Sequence, residues 1–92
     1  MFICANDFVA LDTMQVFKEL GIRVPEDVWL CGFDDSPASR VTSPTLTTVH
    51  IHSQIMGLSA VHLLMSRIKE PTLNFRRIYT ETSLIYREST ED

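Results

Sequence analysis

The stretch that most constrains this chain is Val28-Trp29-Leu30-Cys31-Gly32-Phe33, an apolar run without alternation. A strand with one wet face alternates polar and apolar residues. An unbroken run marks a strand covered on both faces, as in a parallel sheet flanked by helices. What precedes it fits. Residues 2–5 form a short apolar run that Asn6-Asp7 stops. From Phe8 to Leu20 the apolar positions follow a helical period, with Ala10, Met14 and Phe17 in one stripe and Thr13 and Leu20 beside it. Asp7 is the expected N-cap. Gly21 is the expected residue just past the helix end. Strand, helix and strand span residues 2–33, the size of a βαβ unit. The expectation is an α/β fold with a parallel βαβ unit at its start.

The remainder is less regular. Asp34-Asp35-Ser36-Pro37 ends the second strand, and a loop with Ser39, Thr42, Ser43 and Pro44 follows. Residues 45–52 are rich in β-branched side chains and read as extended. Ser53 is a candidate N-cap for a second helix from Gln54 to about Lys69. Its apolar positions are Ile55, Leu58, Val61, Leu64, Met65 and Ile68, and Pro71 stops it. Two extended stretches follow, at 75–79 and 83–87, and the polar residues 88–92 are expected to fray.

Charge excludes one class of function for the chain by itself. Lys plus Arg number 8 against 12 acids, a net charge of −4. The excess lies early, where Asp7, Asp12, Glu19, Glu26, Asp27, Asp34 and Asp35 face only Lys18 and Arg23. Nucleic-acid binders need a basic footprint to release phosphate counterions. The short Arg76-Arg77 pair does not supply one. No apolar run approaches the roughly 18–20 residues of a membrane helix. The start lacks the basic segment of a signal peptide, so neither a leader nor a span is expected. Cys4 and Cys31 sit in apolar runs and read as buried free thiols of a reducing compartment, although a disulfide stays open. No C-x-x-C spacing accompanies them, so a metal site is not expected.

Open α/β sheets bind ligands beyond the carboxyl ends of their strands. Here two strands end in polar pairs, Asn6-Asp7 and Asp34-Asp35. Parallel neighbours would bring both pairs to one rim. Asn offers a donor and an acceptor, and Asp offers acceptors, a set suited to sugars and nucleosides. Asn6 and Asp34 are the leading ligand candidates; Asp7 and Asp35 are secondary ones. Asp7 has a rival role as a helix cap and Asp35 as a turn former. His50-x-His52 puts two imidazoles on one strand face, but no third ligand is evident. No phosphate loop, nucleophile elbow or Cys-His pairing appears. Phe8 and Leu11 add a second small apolar face beside the helix's core stripe, as an interface would.

These motifs, taken in order, resemble the C-terminal portion of the lac repressor (LacI/GalR) family of bacterial transcription regulators. The matching pieces are Cys4-Ala5-Asn6-Asp7 with Ala10-Leu11, Gly21 to Val28, and Gly32-Phe33-Asp34-Asp35-Ser36-Pro37. Pro44 to Val49, Met56-Gly57 and Arg87-Glu88-Ser89-Thr90 complete the set. The resemblance implies a periplasmic-binding-protein-like (type I) effector domain, here an incomplete two-lobed one. Residues 1–49 and 82–92 would belong to the second lobe, and residues 50–80 would be a crossover and helix of the first. It implies a cytoplasmic, sugar-responsive regulator that is no enzyme and needs no cofactor or metal. Such regulators form homodimers and touch operator DNA only through an N-terminal segment that these 92 residues do not match. Asn6 and Asp34 match family positions that hydrogen-bond the effector. Phe8, Leu11, Val41 and Thr42 match the dimer interface. Asp12, Trp29 and Cys31 depart from the common pattern, which bears on packing. A transport-type periplasmic sugar-binding protein shares the fold and the rim site and is the rival reading.

Overall fold

The computed structural model describes residues 1–91, which form two compact units: Met1–Ile51 together with the segment from Ser83 onward, and His52–Thr82. In the first unit, β1 (Phe2–Ile3) pairs in parallel with β2 (Leu30–Cys31), Phe2 opposite Leu30 and Ile3 opposite Cys31. On the other side of β2 the ladder continues through Gly32 N–H to Thr47 O (2.9 Å) and Asp34 N–H to Val49 O (3.0 Å). Residues 47–49 thus run beside β2 in the parallel sense, starting from a Cys31–Thr47 bridge. β3 (Thr48–Ile51) pairs in turn with β4 (Thr82–Ile85).

Helix α1 (Asp7–Glu19) covers this sheet. Its stripe of Ala10, Met14 and Phe17 is buried against Leu30 and Leu46, with Ile22, Val24 and Val28 packed around them. Each such large side chain contributes about 1.5–3 kcal/mol when fully buried, so a handful of residues carries the core. Leu20 lies outside it and is exposed. The helix starts one residue earlier than its periodicity predicts, and Asn6 rather than Asp7 is its cap. The Asn6 side-chain oxygen accepts from Val9 N–H at 2.9 Å. The far end follows prediction. Gly21 takes φ +71, its N–H reaches Lys18 O (3.2 Å), and Ile22 N–H reaches Phe17 O (2.8 Å). That pair of bonds, with Ile22 leaning on the core, is a Schellman closure.

Residues 88–91 do not fray; residue 92 of that expected loose end lies outside the described residues. Ser89 is wholly buried. Its hydroxyl donates to Leu30 O (2.6 Å) and accepts from Thr47 N–H (2.8 Å). Ser89 N–H donates to Thr45 O (2.9 Å), and the Thr47 and Thr90 hydroxyls meet at 2.7 Å. The polar run that suggested a loose end is a clamp across the sheet, because its polar groups find partners about forty residues back.

The second unit holds α2 (Ser53–Lys69). Ser53 lies inside the helix, and His52, which flanks it, makes no capping bond through its side chain. None of the helix's described residues is buried, so its apolar positions are open. The following segment returns along it. The Arg67 guanidinium lies 4.6 Å from the Phe75 ring centre and donates to Leu73 O at 2.7 Å. Residues 75–79 pair into no strand.

Candidate functional site

Both polar pairs do meet at one rim. Asp7 N–H donates to Phe33 O at 3.0 Å, which sets the Asn6-Asp7 end of β1 beside the Phe33-Asp34 end of β2. The four candidates then divide. Asp7 is 1% exposed. Its carboxylate accepts from the Thr48 hydroxyl (2.7 Å) and from Ser36 N–H (2.6 Å). Gly32 makes room for it, since a Cβ there would collide with the Asp7 carboxylate and approach Leu46 Cδ2 to 2.9 Å. Asp7 is therefore turned inward and is not presented at the rim.

Asp35 is also engaged. Its carboxylate accepts from Arg87 (2.7 Å) and Arg40 (3.1 Å) and pairs with His50 Nδ1 (2.9 Å). Burial pushes this carboxyl up, but the bonds from Arg87, Arg40 and His50 outweigh that and hold it down at about 2. It is ionised throughout the neutral range, with its acceptors taken. His50 is committed to this pairing. Among the described residues no group of three or more His, Cys, Asp and Glu is placed to hold a metal.

Asp34 is different. It is exposed, and its carboxylate has no partner among the described residues. Its backbone sits at φ +114 and that of Asp35 at φ +53, both in the left-handed region that favours glycine. Such conformations cost about 1–3 kcal/mol each and persist where the surroundings impose them, commonly at functional sites. Asn6 stands beside it, half-buried, with its amide oxygen used in the cap and its amide nitrogen unpartnered among the described residues. The rim thus offers one carboxyl acceptor and one amide donor to a ligand. That set recognises hydroxyl-rich neutral molecules and disfavours anions.

Residues 2–90 match the periplasmic binding protein-like domain family. The chain belongs to that family. Within it, the relatives and solved structures that the chain resembles are LacI/GalR-type transcription regulators. It is 40% identical over 88 residues to the transcriptional repressor PurR of Pasteurella multocida, covering 96% of this chain and 26% of that protein. A solved complex of the transcriptional regulator CelR with cellobiose is 37% identical with a TM-score of 0.85, over 95% of this chain and 27% of the other. The lac repressor dimer bound to operator and the anti-inducer ONPF is 30% identical with a TM-score of 0.83, over 96% and 26%. The chain therefore spans about a quarter of the length of the relatives it matches. Among the described residues no helix is long and apolar enough to cross a membrane.

The apolar face beside the α1 stripe is partly open. Phe8 is 77% and Val41 83% exposed. Leu11 instead leans on the core, and the Thr42 hydroxyl donates to Pro44 O at 2.9 Å. Both cysteines are free thiols. Burial, together with Asp7 and Cys4, pushes the Cys31 thiol up, so it is inert at neutral pH. Trp29 is exposed at the sheet margin, where its carbonyl accepts from Phe2 N–H (2.8 Å). Sequence reasoning missed Arg87 and Arg40 as partners of the rim. The one available signal was an arginine close to the end of an acidic chain, within a run matching the family.

Proposed function

We propose that this chain is the C-terminal part of the effector-binding and dimerisation domain of a cytoplasmic transcription regulator that responds to a sugar or nucleoside. Asn6 and Asp34 contact the effector directly. Phe8 and Val41, with Leu11 and Thr42 behind them, form the dimer face. Residues 1–49 and 82–92 belong to the second lobe, and residues 50–80 to the first. The chain carries out no catalysis, and operator DNA is reached through a part of the regulator outside these residues. One observation carries the reading. Asp34 is an exposed, strained carboxylate at the carboxyl edge of a parallel sheet, without a partner among the described residues, while Asp7 and Asp35 are each bonded by two or more groups.

The test is calorimetry on the full-length regulator with cellobiose, lactose, ribose and guanosine. A charge-assisted bond at a buried site is worth about 1.5–3 kcal/mol, so Asp34→Ala should weaken the bound ligand roughly 10- to 150-fold. Asn6→Ala should do somewhat less, and operator affinity without ligand should hold in both. Unchanged ligand affinity in Asp34→Ala would make this aspartate a turn former only.

A further inference from the structure

The turn that presents Asp34 passes through two successive left-handed residues, and neither is glycine. Something outside the turn has to hold it there. Two backbone contacts help: Asp34 N–H to Val49 O (3.0 Å) and Asp35 N–H to the Thr48 hydroxyl (3.2 Å). Both bind amide groups that many turn geometries could offer. The Asp35 carboxylate is the one side chain of the turn gripped from several elements at once. Arg40 comes from the 3-10 turn Pro37–Arg40, His50 from β3, and Arg87 from the segment after β4.

We propose that Asp35 is a positioning residue of the effector site: its carboxylate, clamped by Arg87, Arg40 and His50, fixes the turn that aims Asp34 at the ligand. This rests on the reading of Asp34 as an effector contact. Arg87 is the principal clamp. Its side chain is 15% exposed against 58% for Arg40, and solvent screens exposed pairs. Its fork is itself anchored, because Nη1 donates to the Ser39 hydroxyl (2.8 Å) and to Leu46 O (3.0 Å) while Nη2 reaches Asp35. The two adjacent aspartates thus divide the work, one held and one offered.

The experiment uses the full-length regulator and four variants: Asp35→Asn, Arg87→Met, Arg87→Lys and Ser89→Ala. The last breaks the C-terminal clamp without touching Asp35. Affinities are measured with cellobiose, lactose, ribose and guanosine, melting temperatures are recorded, and the ligand-free Asp35→Asn crystal structure is solved. Losing the aim of a charge-assisted contact should weaken binding about tenfold or more in Asp35→Asn and Arg87→Met. Arg87→Lys, which keeps the charge but not the fork, should recover part of that loss. Ser89→Ala should melt earlier yet bind within about twofold of wild type. In the crystal structure of Asp35→Asn, Asp34 should relax to negative φ. Affinity within twofold of wild type in both Asp35→Asn and Arg87→Met would overturn the proposal. An unmoved Asp34 at positive φ would overturn it as well. If no probe binds the wild type, the effector reading fails on its own, and the φ of Asp34 still decides the positioning role. Should Asp35→Asn not fold, Arg87→Lys decides: weakened binding supports the clamp, and wild-type affinity refutes it.

Discussion

Replacing Ser89 with alanine removes a single hydroxyl, yet the structure makes it costly. That hydroxyl is wholly buried and satisfies two backbone groups, the Leu30 carbonyl at 2.6 Å and the Thr47 N–H at 2.8 Å. Without it both remain buried without partners. An orphaned buried group costs about 1–3 kcal/mol, so the pair amounts to about 2–6 kcal/mol. That is a large part of the ~5–15 kcal/mol typical of a domain. Glu88→Ala is the matched control. Its carboxylate accepts from Thr45 N–H (3.1 Å) and the Thr45 hydroxyl (3.0 Å), but it is exposed, and water can take over both roles. It should cost far less than Ser89→Ala, because solvent screens an exposed pair. Urea unfolding followed by the fluorescence of Trp29, the single tryptophan, reads both variants. With a denaturant slope of about 2 kcal/mol per molar, Ser89→Ala should unfold roughly 1–3 M earlier than wild type and Glu88→Ala close to it. If the two variants have the same midpoint, the C-terminal segment is frayed in solution and the clamp has no energetic weight.

Two further outcomes follow from the same geometry. Asp35 titrates at about 2 when folded against an ordinary 3.8, so its pairing stabilises the fold above pH ~3.8 and that contribution fades as pH falls toward 2. The amount is about 2 kcal/mol, and the stability gap between wild type and Asp35→Asn should be constant above pH ~5 and shrink below it. Gly32→Ala should cost about 1–3 kcal/mol by overpacking, because its Cβ meets the Asp7 carboxylate and Leu46. Gly57→Ala, whose Cβ meets nothing within 4 Å in α2, should be neutral or stabilising by up to ~1 kcal/mol; equal effects in thermal melts would contradict this.

What was legible in the sequence is what local chemistry decides. The α1 stripe of Ala10, Met14 and Phe17 follows from period alone, and Gly21 from the need for a positive φ. The cap was misplaced by one residue because Asn6 and Asp7 are equally good caps. What separates them is Thr48, whose hydroxyl claims Asp7 from 41 positions away. The same kind of distance hid the clamp. Arg87, Ser89 and Thr90 look like a solvated tail until Leu46 and Thr47 supply their partners. The segment at 75–79 has β-forming residues but no neighbouring strand to pair with, and propensity without a partner does not make a sheet. Helix α2 was placed correctly by its apolar period, while what that period packs against could not be read from these 92 residues.

On the proposed reading, Asp7, Asp34 and Asp35 show how a ligand group differs from a structural one. Composition and spacing make Asp7, Asp34 and Asp35 nearly equivalent. The fold gives Asp7 two donors and Asp35 three side-chain partners. To Asp34 it gives none among the described residues and places that residue on a disfavoured backbone. A carboxylate selected for stability would attract partners, since each charge-assisted bond returns more than a neutral one. One selected to meet a ligand has to keep its lone pairs free, and its neighbours then have to hold the strained turn in its place. On the proposed reading Asp35 and Arg87 meet that requirement, and the adjacent aspartates divide into a held residue and an offered one.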